Sequence, residues 1–178
     1  VRGMGSQHVG VFYDGIQLGN AQNGVVDLGK FSMDDMEVIS LYNGQKSNIF
    51  QSAKDYASAS AIYLQTKKPV FIGDKKTNAT FRYKLGSIQL INPSTRIEQK
   101  LSERLSAVLS AEYIKSDGEY KFRYQRKKLD GTKAYDTIAT RKDGQIEAKR
   151  LELGLVGKLN QGNWNVKGYL YESDRGLP

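Results

Sequence analysis

The sequence predicts a mainly β chain, in which a small α+β piece is followed by about five antiparallel strands. Three observations carry that expectation. From Thr77 onward, apolar and polar residues alternate with a period of two along successive runs. Before Thr77 the chain is dense in glycine and short polar residues, and its β-type runs are brief. Residues 36–67 join the two textures. They open with Met36-Glu37-Val38-Ile39-Ser40-Leu41-Tyr42-Asn43-Gly44, pass through a polar middle, and close with Ala61-Ile62-Tyr63-Leu64-Gln65-Thr66-Lys67. The domains expected from this are 1–68 and 69–178.

In the first part, Val9–Tyr13 is a short apolar strand. Asp14-Gly15 is a turn signal and Ile16–Leu18 continues as a second strand. Glycines at 3, 5 and 10 do not make a phosphate-binding loop: the spacing is not G-x-G-x-x-G, and neither a preceding strand nor a following helix is visible. Residues 19–30 read as loop. Ser32, with an acid three residues later, marks one helical turn. Residues 37–42 form a strand that ends at Asn43-Gly44. Residues 47–57 carry a short helical pattern around Ile49, Phe50 and Ala53. Residues 61–66 form the next strand, which Lys67-Lys68-Pro69 stops.

In the second part, Thr77–Gly86 sets Ala79, Phe81, Tyr83 and Leu85 against Asn78, Thr80, Arg82 and Lys84. Asn92-Pro93 reads as a turn, and 95–101 alternates around Ile97, Gln99 and Leu101. Residues 102–104 are a short connection. Residues 105–113 set Leu105, Ala107, Leu109, Ala111 and Tyr113 on one face. A long polar loop is expected over 116–144. Ile146–Leu159 returns to strand, with a phase slip near Arg150 that suggests a bulge. Residues 160–163 are a hairpin turn, and 164–171 form a fifth strand.

The totals narrow the function. The chain has 178 residues, 39% of them hydrophobic, which is low for a compact globule of this size. It has no cysteine and one histidine, His8, which argues against disulfides, Cys or His metal sites and a Ser-His-Asp triad. No cofactor is expected. Asp14, Asp34, Asp35 and Glu37 have no partner base or metal cluster in the pattern, so no catalytic residue is assigned and an enzyme is not expected. No signal peptide and no apolar run of membrane-helix length is visible. Val1 falls inside a patterned segment, and the chain reads as a piece of a longer one. The net charge is +8. Residues 115–150 hold eleven Lys or Arg against six Asp or Glu, a patch that attracts anionic partners or stays a solvated loop.

Strands alternating apolar and polar, with short turns at one end and a long loop at the other, are the pattern of an outer-membrane β-barrel. A soluble β-sandwich shows the same alternation. The order of motifs adds more. Arg2-Gly3, then Val9-Gly10-Val11-Phe12-Tyr13-Asp14-Gly15, then Met33-Asp34-Asp35-Met36-Glu37-Val38-Ile39, then Tyr42-Asn43-Gly44, then Ala61 through Thr66-Lys67, resembles the later half of the plug domain of TonB-dependent outer-membrane receptors. There are departures. Asn43-Gly44-Gln45 stands where the family has Gly-Pro. Phe50-Gln51 replaces its Tyr-Gly, and Ala57, Ser58, Ala59 and Ser60 replace its glycines. These suggest a divergent, Bacteroides-like branch, with cobalamin-receptor-like proteins as one candidate group.

The resemblance implies a plug-domain remnant over 1–68 and the first strands of an incomplete outer-membrane β-barrel over 69–178. The parent would take up a scarce ligand such as a siderophore, haem, cobalamin or glycan through a plugged barrel of about 22 strands. The implied partners are an inner-membrane TonB complex and a small extracellular ligand. The N-terminal box that TonB pulls and the first half of the plug are not visible. This chain alone would not transport. Ligand contacts are expected in the loop 17–27, at Gln17, Asn20, Gln22 and Asn23. They are also expected in the basic-aromatic loop with Tyr120, Phe122, Arg123, Tyr124, Arg126, Tyr135 and Arg141. Open strand edges and lipid-facing apolar residues would make the piece self-associate. The alternatives are a soluble β-sandwich binding module and, from the run 121–128, a nucleic-acid binder. The second is disfavoured because the run lies in a long connection instead of on a sheet face, so no nucleic-acid partner is expected.

Overall fold

The structure, a computed structural model, describes residues 8–19, 25–43, 60–129 and 131–176. The chain divides into two compact units, Val1–Lys68 and Pro69–Pro178.

The first unit is a four-stranded mixed sheet in the order β2-β1-β4-β3. Its strands are β1 (Val9–Tyr13), β2 (Ile16–Leu18), β3 (Met36–Asn43) and β4 (Ser60–Thr66). β1 pairs antiparallel with β2 and parallel with β4, and β4 pairs antiparallel with β3. Helical content in this unit includes the single 3-10 turns Leu28–Lys30 and Met33–Asp35. The described part of this unit is thus mainly β, as expected of the chain as a whole. The helical pattern over 47–57 lies outside the described residues. Ser32 does cap a turn: its hydroxyl accepts from the Asp34 N–H at 3.3 Å. The core is small. Val11, Phe31, Met36 and Leu64 are buried, with Tyr13, Leu18, Val26 and Ile62 packed against them. Tyr13 stacked on Phe31 at 4.8 Å extends it, and Phe12 stacks on Tyr63 at 4.9 Å on the opposite face of the sheet.

Asp14 and Gly15 both have positive φ, 48° and 88°, the backbone of a two-residue hairpin turn. That turn brings the Asp14 carboxylate to the end of β4. It accepts from the Thr66 N–H and from the Thr66 hydroxyl, both at 2.8 Å. On the other side, the Lys67 N–H donates to the Asp35 carbonyl at 2.9 Å, and Lys67 Nζ to the Asp34 carbonyl at 2.6 Å. The Asp-Gly, Asp-Asp and Thr-Lys motifs thus form one clamp. Asp14→Ala is expected to cost about 2–3 kcal/mol, because the buried Thr66 N–H loses a charged acceptor and alanine tolerates the left-handed turn poorly. Asp14→Asn should lose less. Hydrogen exchange of the Thr66 amide reads the difference, and unchanged protection in Asp14→Ala would refute the clamp.

The second unit holds a five-stranded antiparallel sheet in the order β11-β10-β7-β6-β5 and a separate two-stranded ribbon of β8 and β9. The sheet strands are β5 (Thr77–Gly86), β6 (Leu90–Lys100), β7 (Leu105–Ser116), β10 (Ile146–Leu159) and β11 (Gly162–Arg175). The sheet is open, with β5 and β11 as its edges. Three expectations are corrected here. Asn92-Pro93 is no turn but lies inside β6. Proline lacks the N–H that its partner strand needs, and pairing with β7 lapses between Ile91 and Ser94. The Asn92 side-chain amide fills the gap, donating to the Tyr113 carbonyl and to Glu112, both at 2.9 Å. There is no bulge at Arg150, which pairs with Glu112 and Tyr171 in an unbroken register. The apparent phase slip is chemical, since Ala148 is an apolar residue buried on the largely polar face of Arg150 and Glu152. The long loop over 116–144 contains a hairpin, β8 (Tyr120–Lys127) and β9 (Lys133–Arg141).

Candidate functional site

The hairpin arises because 120–127 alternates aromatic with polar residues, a period-two pattern of rings and cations that a search for aliphatic strands overlooks. Its register pairs Tyr120 with Arg141, Phe122 with Ala139, Tyr124 with Thr137 and Arg126 with Tyr135. Paired residues share a face, and every second residue joins them. Tyr120, Tyr124, Arg126, Tyr135 and Arg141 therefore lie together on a front face, with Phe122 among them. The rings touch: Tyr120 and Phe122 have centroids 6.1 Å apart, and Tyr124 and Tyr135 are 5.2 Å apart. The hydrogen bond with Tyr124, and burial after it, raise the Tyr135 phenol above its usual range.

Arg123 stands on the back face. Its Nε donates to Asp136 Oδ1 at 2.7 Å, its Nη2 to Oδ2, and Gln125 donates to the same carboxylate at 2.9 Å. The pair stiffens the ribbon from behind. The hydrogen bond from Arg123, then those from Gln125 and Lys133, hold the Asp136 carboxyl below its usual range; the same bond raises Arg123. A depressed folded pKa stabilises above the unfolded value, near 4, and the contribution is lost as pH falls through the folded value. Proteolytic nicking of 120–141 should rise below about pH 4, and Asp136→Asn should remove that dependence. A flat profile in the parent chain would sink this account. Of the other expected contacts, Gln17 is exposed in β2, in the first unit, and Asn20, Gln22 and Asn23 lie outside the described residues.

The five-stranded sheet has two chemically opposite faces. One carries Phe81, Ile97, Leu109, Leu151, Leu153, Leu155, Val166 and Leu170, which the registers place in adjoining rows. This apolar face is open: Phe81 and Leu170 are each 71% exposed and Leu153 is 58%. Its rows run from Leu105 and Trp164 at the end with short turns to Tyr83 and Tyr113 at the other. Charged Lys149 and Glu172 share the row of Tyr113, and Lys115 and Glu147 stand one row beyond on the same face. At the short-turn end Trp164 lies over Gly157, where a β-carbon would enter the indole. The band measures about 27 Å along β7, or roughly 20 Å along the normal for a strand tilted near 40°.

The opposite face is largely polar and is buried on its central strands, with Val108 and Ala148 as apolar exceptions, while Tyr169 on the edge strand is half exposed. Arg96 and Ser110 are 8% and 5% exposed, and Asn92, Ser94 and Ser116 are also buried. Arg96 pairs with Glu98 at 2.9 Å, Arg150 with Glu112 at 3.0 Å and Lys167 with Glu152 at 3.6 Å. Arg150 also lies 5.5 Å over the Tyr171 ring. In a water-soluble protein the covered face is the apolar one. Here it is the polar face, as in a barrel wall that meets lipid outside and a polar lumen inside.

Residues 1–54 match the family model described as the TonB-dependent Receptor Plug Domain. Over those residues, under a third of the chain, the sequence is similar to the plug of TonB-dependent receptors. The plug match covers β1, β2 and β3 and the Asp14 and Asp34-Asp35 sides of the clamp. No curated protein matches the chain. The family is one of outer-membrane receptors and transporters, not of enzymes, and it works with TonB and a bound ligand. Among the described residues no cluster of His, Asp or Glu is placed to hold a metal.

Proposed function

We propose that the chain is part of an outer-membrane receptor for a scarce extracellular ligand, with 1–68 in the plug and 69–178 forming the first strands of the barrel wall. The observation that carries this reading is the inverted five-stranded sheet, with an exposed apolar band between aromatic ends and an ion-paired polar back. The plug match in the first unit supports it independently. In this orientation the turns at 101–104 and 160–161 face the periplasm. The β8–β9 hairpin, at the opposite end of the sheet, faces the outside and meets ligand first. Uptake belongs to the whole receptor and is driven through TonB. Away from lipid, the apolar band drives self-association of the chain, which sedimentation reads as a concentration-dependent mass.

Orientation can be tested in cells, since the sequence has no cysteine. Leu129→Cys at the hairpin tip should react with a membrane-impermeant maleimide on intact cells. Gln161→Cys should react only after the outer membrane is permeabilised. Equal labelling of both, or recovery of the protein in the soluble fraction, would overturn the reading.

A further inference from the structure

Resting on the outward orientation proposed above, we infer that the front face of the β8–β9 hairpin is a platform for a linear acidic oligosaccharide. The face has four cross-strand rows. The first pairs Tyr120 with Arg141 and the fourth pairs Arg126 with Tyr135, with Phe122 and Tyr124 between them. An arginine–tyrosine pair therefore closes each end, about 20 Å apart along the ribbon. Neither Arg126 nor Arg141 has a carboxylate partner among the described residues, whereas Arg123 on the back is held by Asp136. Lys121, Lys127, Lys128 and Lys133 add positive charge to the same hairpin, which draws anions from a distance.

Two cations at that spacing with ring faces between them select for length, negative charge and apolar faces in one molecule. A sugar ring lays its C–H face on the electron-rich face of tyrosine or phenylalanine. Its carboxylate or sulfate meets a guanidinium in a two-pronged hydrogen bond. A compact anion shorter than the gap reaches one arginine only. A single-stranded oligonucleotide shares the charge and the stacking faces, but it needs open slots between rings. These rings instead lean on one another, tilted by 54° for Tyr120 and Phe122 and 55° for Tyr124 and Tyr135.

The test titrates the chain by calorimetry with tetragalacturonate, monomeric galacturonate, cellotetraose and an oligothymidylate, each at two salt concentrations. Tetragalacturonate should bind at least roughly tenfold more tightly than the monomer or the neutral tetramer. Replacing both front cations, Arg126→Gln with Arg141→Gln, should weaken it by about tenfold or more and flatten its salt dependence. Phe122→Ala should weaken it with the salt dependence kept, and Lys121→Gln on the back should leave it within about twofold. No binding, equal binding of monomer or neutral tetramer, tighter binding of the oligonucleotide, or indifference to the front-face changes would each overturn the inference. Maleimide labelling separates the two failures. A hairpin labelled from outside without acidic-glycan preference sinks this inference alone, and an unlabelled hairpin sinks the orientation beneath it.

Discussion

Replacing Gly118 with valine is expected to release the β8–β9 hairpin from the sheet that carries it, at a cost of about 3 kcal/mol or more. The hairpin stands on a neck between the end of β7 and the start of β10, where Ser116 pairs with Ile146. Gly118 has φ of +64°, and a β-carbon there would fall inside the Gly144 carbonyl group. Both sides of that contact are backbone, so no side-chain rotation relieves it. A β-branched residue in the left-handed region adds its own penalty. The neck is also tied sideways. The Ser116 hydroxyl accepts from the Gly118 N–H at 3.2 Å and donates to the Ile88 carbonyl at 2.7 Å. Hydrogen exchange resolves the outcome by segment. Amides of 120–141 should lose protection while those in the middle of β6 and β7 keep it. Unchanged hairpin protection would mean that the two glycines are not what seats it. Gly162→Ala, at a turn with open space around the glycine, is the control and should leave exchange unaltered.

The sheet was legible in the sequence because each strand repeats one simple rule. Alternation located β5, β7, β10 and β11 to within a few residues, and the Asp14-Gly15 and Ser102-Glu103-Arg104 connections followed from turn chemistry. What hid were places where one residue does another's task. Asn92 conceals the proline in β6 by lending its side-chain amide to a carbonyl that the backbone cannot serve. Ala148 conceals the register of β10 by putting a small apolar residue on the polar face. β8 was hidden because the expected strand signal was aliphatic, whereas its own is aromatic rings alternating with polar and basic residues, and β9, with Ala134, Ile138 and Ala139 scattered among polar residues, has no period-two apolar signal.

The candidate site was legible as a composition and not as a surface. The residues Tyr120, Tyr124, Arg126, Tyr135 and Arg141 could be singled out as basic and aromatic. That they share a face follows only from cross-strand register, which the sequence of a loop does not carry. The same register removes Arg123 from the group and keeps Phe122 in it. The Asp14 clamp shows the converse. Asp14 and Thr66 are far apart in the chain, and parallel pairing of β1 with β4 brings them to a distance of 2.8 Å. A carboxylate without an apparent partner in the sequence is thereby explained as structural.

An arginine in the middle of the apolar band is the sharpest probe of what that band faces. Leu153 is central: its row contains Leu109, Ile97 and Ala79, with Trp164 toward one end of the face and Tyr83 and Tyr113 toward the other. If the band meets the hydrocarbon of a bilayer, Leu153→Arg should cost about 2–4 kcal/mol, the penalty for arginine on the lipid face near the midplane. The receptor carrying it should be depleted from the outer membrane. Leu85→Arg, beyond Tyr83 and near the charged rim, should cost about 1 kcal/mol or less, because the penalty falls toward the interface. Tyr169→Arg lies on the opposite face in the row of Arg96, Ser110 and Glu152, and should assemble normally because that face already carries charge. The ordering of the three variants matters more than any single loss. Equal tolerance of all three would describe a sheet bathed in water on both sides. Equal damage from Leu153→Arg and Leu85→Arg would describe a face buried against protein along its whole length, as in a β-sandwich. Only a penalty that peaks at Leu153, fades toward the Leu85 rim and is absent at Tyr169 has the shape of a membrane, since the polarity of a bilayer rises smoothly from its midplane toward its edges.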